Sequence, residues 1–180
     1  MKRNVLVFGL ISGAILATFM VVTTLMCYKN ENFEDNAVLG YGAMILAFSF
    51  IFVAIKNYRD RYNSGVISFG QAFKIGLFVT LITSTIYVLI WLIEFYLFIP
   101  DFMDKYTAHV MRELRESGAG PAELESKAAE MANFGEMYKN PVLVVLFTYA
   151  EVFPIGLVIS LLCALILKRN SGGQAQLTGS

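Results

Sequence analysis

Residues 142–167 are 26 consecutive positions with a single charge, Glu151. At about 1.5 Å of rise per residue, a helix of that length covers roughly 39 Å, more than the ~30 Å hydrocarbon core of a bilayer. Three further runs, 5–27, 37–55 and 75–99, are also long and apolar, and their only charge is Glu94. None of the four contains Lys or Arg. With 57% hydrophobic residues and a mean hydropathy of +0.61 over 180 residues, little chain is left for a water-soluble core. The expected fold is all-α: a polytopic integral membrane protein with four transmembrane helices, forming one domain over residues 1–170. The tail, 171–180, is rich in Gly, Ser and Gln and reads as disordered.

A basic head, Met1 to Asn4, precedes the first run, as in a signal peptide. The run is too long for one and no small-residue cleavage site follows, so an uncleaved first helix is expected. Gly9, Gly13 and Ala17 recur at i+4 on it. Gly40, Ala43 and Ala47 on the second run, and Gly156, Ser160 and Ala164 on the fourth, are similar stripes. Small residues at that spacing let helices approach closely in lipid, so they indicate packing rather than chemistry.

Between the second and third runs the chain is basic, with Lys56, Arg59, Arg61 and Lys74 against Asp60. The spacing Ser68-Phe-Gly-Gln71 matches a capping box and predicts a helix from Phe69, lying at the interface and continuing into the third span. Residues 100–140 are the one sizeable polar segment. Phe102, Tyr106, Val110 and Leu114 recur at i+4, Ser117 to Pro121 break the pattern, and Leu124, Ala128, Met131 and Met137 or Tyr138 resume it. An amphipathic helical hairpin is expected there, packed on the membrane face or on a partner, with His109 at its surface.

Four spans put both termini on one side. That side carries eight bases and one acid, the other six bases and eleven acids. The positive-inside rule then places both termini in the cytoplasm and the hairpin outside it.

Glu151 lies ten residues into its run, about 15 Å down the axis and near mid-bilayer, where an ionised carboxylate is costly. Pro154 removes the hydrogen bond to the Ala150 carbonyl and favours a kink beside the acid. On the third run Thr80, Ser84 (or Thr83), Tyr87, Trp91 and Glu94 share one face. Glu94 is the shallower acid, about 9 Å below Pro100 among an aromatic belt, and reads as reaching interfacial water. Glu151, Glu94, Pro154, Tyr87, Thr80 and Ser84 are therefore the candidate intramembrane proton or polar site. Gly9, Gly13, Gly156 and Ser160 are the candidate packing residues. For Glu151 three readings stand: a protonated acid bonding a neighbouring helix, a proton or ion site, and a contact to a partner.

The one histidine and two cysteines, Cys27 and Cys163 at opposite faces, fit no metal-ligand spacing and no Ser-His-Asp triad. Neither an enzyme nor a cofactor is expected. The basic loop is explained by orientation, so nucleic acid is not an expected partner. The lipid bilayer is, together with a membrane-protein partner or a second copy of the chain.

Three segments together carry a resemblance: Ser68 to Gly76; Pro100 to Met103 with Tyr138 to Pro141; and Glu151 to Gly156 followed by Ser160 to Lys168. Over residues 3–169 the chain resembles the domain of unknown function 4199 family, small bacterial four-helix membrane proteins. The resemblance implies an inner-membrane location. It attaches no role to Glu151, Pro154 or Gly156.

Overall fold

The computed structural model describes residues 1–30 and 37–169. The expected disordered tail, and most of the short loop joining the first two spans, lie outside the described residues. Six α-helices follow in order: α1 Lys2–Asn30, α2 Ala37–Tyr62, α3 Phe69–Ile93, α4 Phe102–Glu116, α5 Pro121–Tyr138 and α6 Pro141–Leu167. A π-helical turn, Glu94–Phe98, ends α3. Four helices are long and apolar enough to cross a membrane, with peak mean hydropathies of 2.2 to 2.6. Only 33 to 39% of each apolar window is buried. The outward faces are Leu, Ile, Val and Phe, such as Leu46, Val158, Leu162 and Ile166, a surface that water does not favour and lipid does.

Helix directions follow from the contacts. A Cβ on Gly9 would meet Ile82 and one on Gly13 would meet Ile86, so α1 and α3 run parallel. Asn4 Nδ2 donates to the Ala54 carbonyl (2.8 Å) and Ser12 Oγ to that of Ala47 (2.7 Å), so α1 and α2 are antiparallel. Thr80 Oγ1 pairs with Ser160 Oγ (3.0 Å) and Thr85 Oγ1 with the Tyr149 hydroxyl (2.7 Å), which makes α3 and α6 antiparallel. The bundle runs α1, α3, α6, α2 around its circumference, with Phe48, Ile51, Ile55, Ile75 and Val79 in the centre. Such interhelical hydrogen bonds matter in lipid, where no water competes for the donors.

The terminal end is tied by backbone. Ile67 and Arg169 exchange both N–H to O=C bonds (3.0 and 2.8 Å), and Arg59 Nη1 donates to the Leu167 carbonyl at the end of α6 (3.4 Å). Ser68 caps α3, accepting from the Gln71 N–H at 3.3 Å, as the spacing indicated. α2 differs from expectation. It continues seven residues past Ile55, because the charges that mark the end of the hydrocarbon do not oppose helix. Tyr58 stacks on Tyr62, and the turn that follows needs positive φ at Ser64 and Gly65 (53° and 79°). α3 is one helix from Phe69 into the third apolar run, as the capping-box spacing indicates.

At the opposite end α4 and α5 form a helical hairpin seated on an aromatic cluster. Phe95 lies edge-on to Phe102 and Tyr138, and Tyr138 stacks on Phe147. His109 is buried at 6% exposure, not at the surface, with Arg112 Nη2 3.1 Å from its Nδ1. The Tyr28 hydroxyl donates to the Asp101 carboxylate, and Lys105 Nζ is 3.8 Å from the same group. The Tyr28 bond holds the Asp101 carboxyl below the usual carboxylate range. A depressed acid stabilises above its ordinary pKa of about 4 and loses that contribution as pH falls through its folded value. Protease nicking of the hairpin is expected to rise below about pH 4 in the wild type. In Tyr28→Phe it should be raised at neutral pH and change less on acidification; an identical pH profile in the two proteins would refute the tie.

Candidate functional site

In the half of the bundle nearest the hairpin, the helices enclose a cleft of about 360 Å³. The rest of the bundle is closed by the small-residue seams. Gly156 sits against Thr80 and the Phe48 ring, and Gly76 against Ser160. Beyond that seam α1 contributes Phe19, Thr23, Thr24 and Cys27, α2 Gly40 and Met44, and α3 Tyr87 and Trp91. Phe102 and Tyr138 from the hairpin roof it, and α6 supplies Thr148 and Glu151.

The sequence-derived candidates divide. Glu151 and Tyr87 meet in the cleft. Glu151 is exposed rather than sealed among helices, and it makes no hydrogen bond or ion pair among the described residues. The reason is rotational. The buried line of α6 is Val144, Thr148, Val152, Gly156 and Ser160, an i+4 stripe that leaves position 151 to one side. Glu94 reverses its expected place too. It is 3% exposed, not reaching interfacial water, and neither carboxyl oxygen has a hydrogen-bond partner. Antiparallel pairing sets Glu151 opposite about Tyr87, so Glu94 is seven residues, or roughly 10 Å, further along α3. Tyr87 stands within electrostatic reach of both acids.

Thr80 belongs to the packing seam with Ser160, which also donates to the Gly156 carbonyl at 2.7 Å. Ser84 is fully buried with its hydroxyl unpaired. Pro154 is exposed, and α6 runs helical through it without a break. Gly9 and Gly13 serve the α1–α3 contact and do not line the cleft.

Two features were not legible in advance. The π turn at Glu94, closed by Ile99 N–H donating to the Glu94 carbonyl (3.0 Å), inserts a residue into the ladder; turns of this kind recur at functional sites. Nothing in Glu-Phe-Tyr-Leu-Phe marks it. Tyr138, read as part of the hairpin stripe, also lines the cleft. Burial, with a smaller contribution from the Glu151 charge, pushes its phenol up to about 12, so it stays neutral at physiological pH.

No group of three or more His, Cys, Asp or Glu side chains converges among the described residues. A family model described as a protein of unknown function, DUF4199, matches residues 7–169. No curated protein and no solved structure matches the chain.

Proposed function

The chain belongs to the DUF4199 family of proteins of unknown function, and from that premise we propose that it is a multi-pass protein of the bacterial inner membrane, acting as a structural or partner-binding subunit rather than an enzyme. The observation that carries the partner-binding reading is the outer surface of the hairpin. A groove of about 850 Å³ runs between α4 and α5 and over the end of α3, lined by Met103, Met111, Met131 and Tyr96 and rimmed by Arg115 and Lys139. Met-rich apolar grooves accept another protein's side chains, because unbranched thioethers repack at little cost. A photocrosslinking residue at Ala128, an exposed groove position, is expected to give one discrete adduct in native membranes. A partner subunit or a second copy of the chain both count in favour. No adduct above the mass of the chain itself sinks the reading.

Orientation is supported by charge. The helix directions gather Lys2, Arg3, Lys56, Arg59, Arg61, Lys74, Lys168 and Arg169 at one end, which the positive-inside rule assigns to the cytoplasm. In a background with Cys27 and Cys163 changed to Ser, Ser117→Cys should react with an impermeant maleimide in intact spheroplasts. Ser64→Cys should react only after lysis. The opposite pattern inverts the topology.

A second reading, a proton-coupled carrier or channel subunit using Glu151 and Glu94, is favoured by one observation: an acid with no hydrogen-bond or ion-pair partner among the described residues lines a cleft within the apolar bundle. Four spans are few for a carrier, so this reading requires an oligomer.

A further inference from the structure

We propose that the intramembrane cleft is a binding site for a hydrophobic organic monocation, held by the Glu151 carboxylate among the faces of Tyr87, Trp91, Phe102, Tyr138 and Phe19. Among the described residues no Lys, Arg or His lines the cleft, and Glu151 is the one acid that does. The carboxyl has no hydrogen bond or ion pair among the described residues, so an ionised Glu151 has no counter-charge supplied by them. A cation is the ligand that such a site favours, and at this depth the interaction is little screened by salt.

The walls then select the kind of cation. Small hard ions such as calcium and magnesium need about six oxygen ligands, and the cleft offers one carboxylate with scattered hydroxyls. Aromatic faces attract large, weakly hydrated cations, and five aromatic residues line the cleft with this acid. Tyr138 and Tyr87 present phenols, Trp91 an indole, and the remaining lining is largely Leu, Met and Thr, which suits an apolar body around the charge. The volume, about 360 Å³, falls at the lower end of the range of small-molecule pockets. The ligand can arrive from the bilayer, where hydrophobic cations concentrate, because Glu151 is exposed rather than sealed inside the bundle. The inference shares the cleft with the carrier reading but requires only binding at equilibrium; it needs neither flux nor a bound partner at the hairpin.

The chain carries its own reporter. Trp91 is the one tryptophan in the sequence and lines the cleft. Titrating tetraphenylphosphonium into the protein in lipid nanodiscs is expected to change Trp91 emission saturably with a stoichiometry of about one per cleft, beyond any change with empty discs. Glu151→Gln should weaken binding at least about tenfold, Glu151→Asp less, and Glu125→Gln, an exposed hairpin acid, not at all. Triphenylphosphine oxide, neutral and of similar shape, should give no saturable change. Should Glu151→Gln fail to fold, the comparison of the charged with the neutral probe on the wild type decides alone. Equal binding of both probes, undiminished affinity in a folded Glu151→Gln, or no saturable signal overturns the proposal. Binding without transport in reconstituted vesicles leaves it standing and removes the carrier reading instead.

Discussion

Replacing Gly156 by Ala is expected to lower the thermal midpoint of the purified protein sharply, although it adds one methyl group and a better helix former. The added Cβ would lie 2.4 Å from Thr80 Cγ2 and 2.7 and 2.8 Å from two atoms of the Phe48 ring. Both neighbours are fully buried, so neither has space to retreat. Overpacking of this kind costs about 1–3 kcal/mol, against a gain of at most ~1 kcal/mol from helix propensity. The same change at Gly42, where nothing lies within 4 Å, should leave the midpoint unchanged or slightly higher. Thr80→Ser removes the nearest clashing methyl and keeps the hydroxyl that pairs with Ser160, so it should partly rescue Gly156→Ala. A Gly156→Ala protein as stable as the wild type would mean that α3, α2 and α6 do not meet at this seam.

That seam also explains what could be read in advance. Long apolar runs, the Ser68 cap and the i+4 small residues of α1 and α6 each express a local rule and appear where the rule places them, whereas Gly40 of the α2 stripe meets nothing within 4 Å and lines the cleft instead. Depth along a helix is local in the same sense, since it follows from rise alone. Facing is not. Rise along the helix gives Glu151 a depth but not a side, and the side decides whether it is sealed or open. The information was partly present: continuing the Gly156, Ser160 and Ala164 stripe backwards in steps of four reaches Val152 and Thr148 and passes Glu151 by. What could not be read was the fit among helices. The cleft exists because the hairpin roofs the space that the spans leave between them, so Tyr138 and Phe102 join Glu151 from more than ten residues away in sequence. The π turn is similarly collective: aromatic packing of Phe95 with Phe102 and Tyr138 accompanies it, and no residue type within it demands it.

Glu94→Met is expected to stabilise the protein. Glu94 is 3% exposed, and both of its oxygens lack hydrogen-bond partners. Leaving a buried polar group unpaired costs about 1–3 kcal/mol, and an apolar residue of similar length recovers it. Glu94→Gln keeps the polar burden and should stay near the wild type. The expected order of thermal midpoints is therefore Met above Gln, with Gln close to Glu. A Met variant less stable than the wild type would show that the carboxyl holds a partner in the membrane, and the unpaired description would fail. The sign carries a functional consequence, because an acid that weakens its own fold at a π turn has the character of a working residue. It opens the π turn one helical turn beyond Trp91 and two beyond Tyr87, aromatic residues that line the cleft with Glu151. If the two acids act together, Glu94→Met should gain stability and alter the response of Trp91 to the cation in the same protein. If Glu94 is only a structural oddity, stability rises and the Trp91 titration stays as it was. Stability and function moving in opposite directions is the outcome expected of a site, whereas a packing residue moves both the same way.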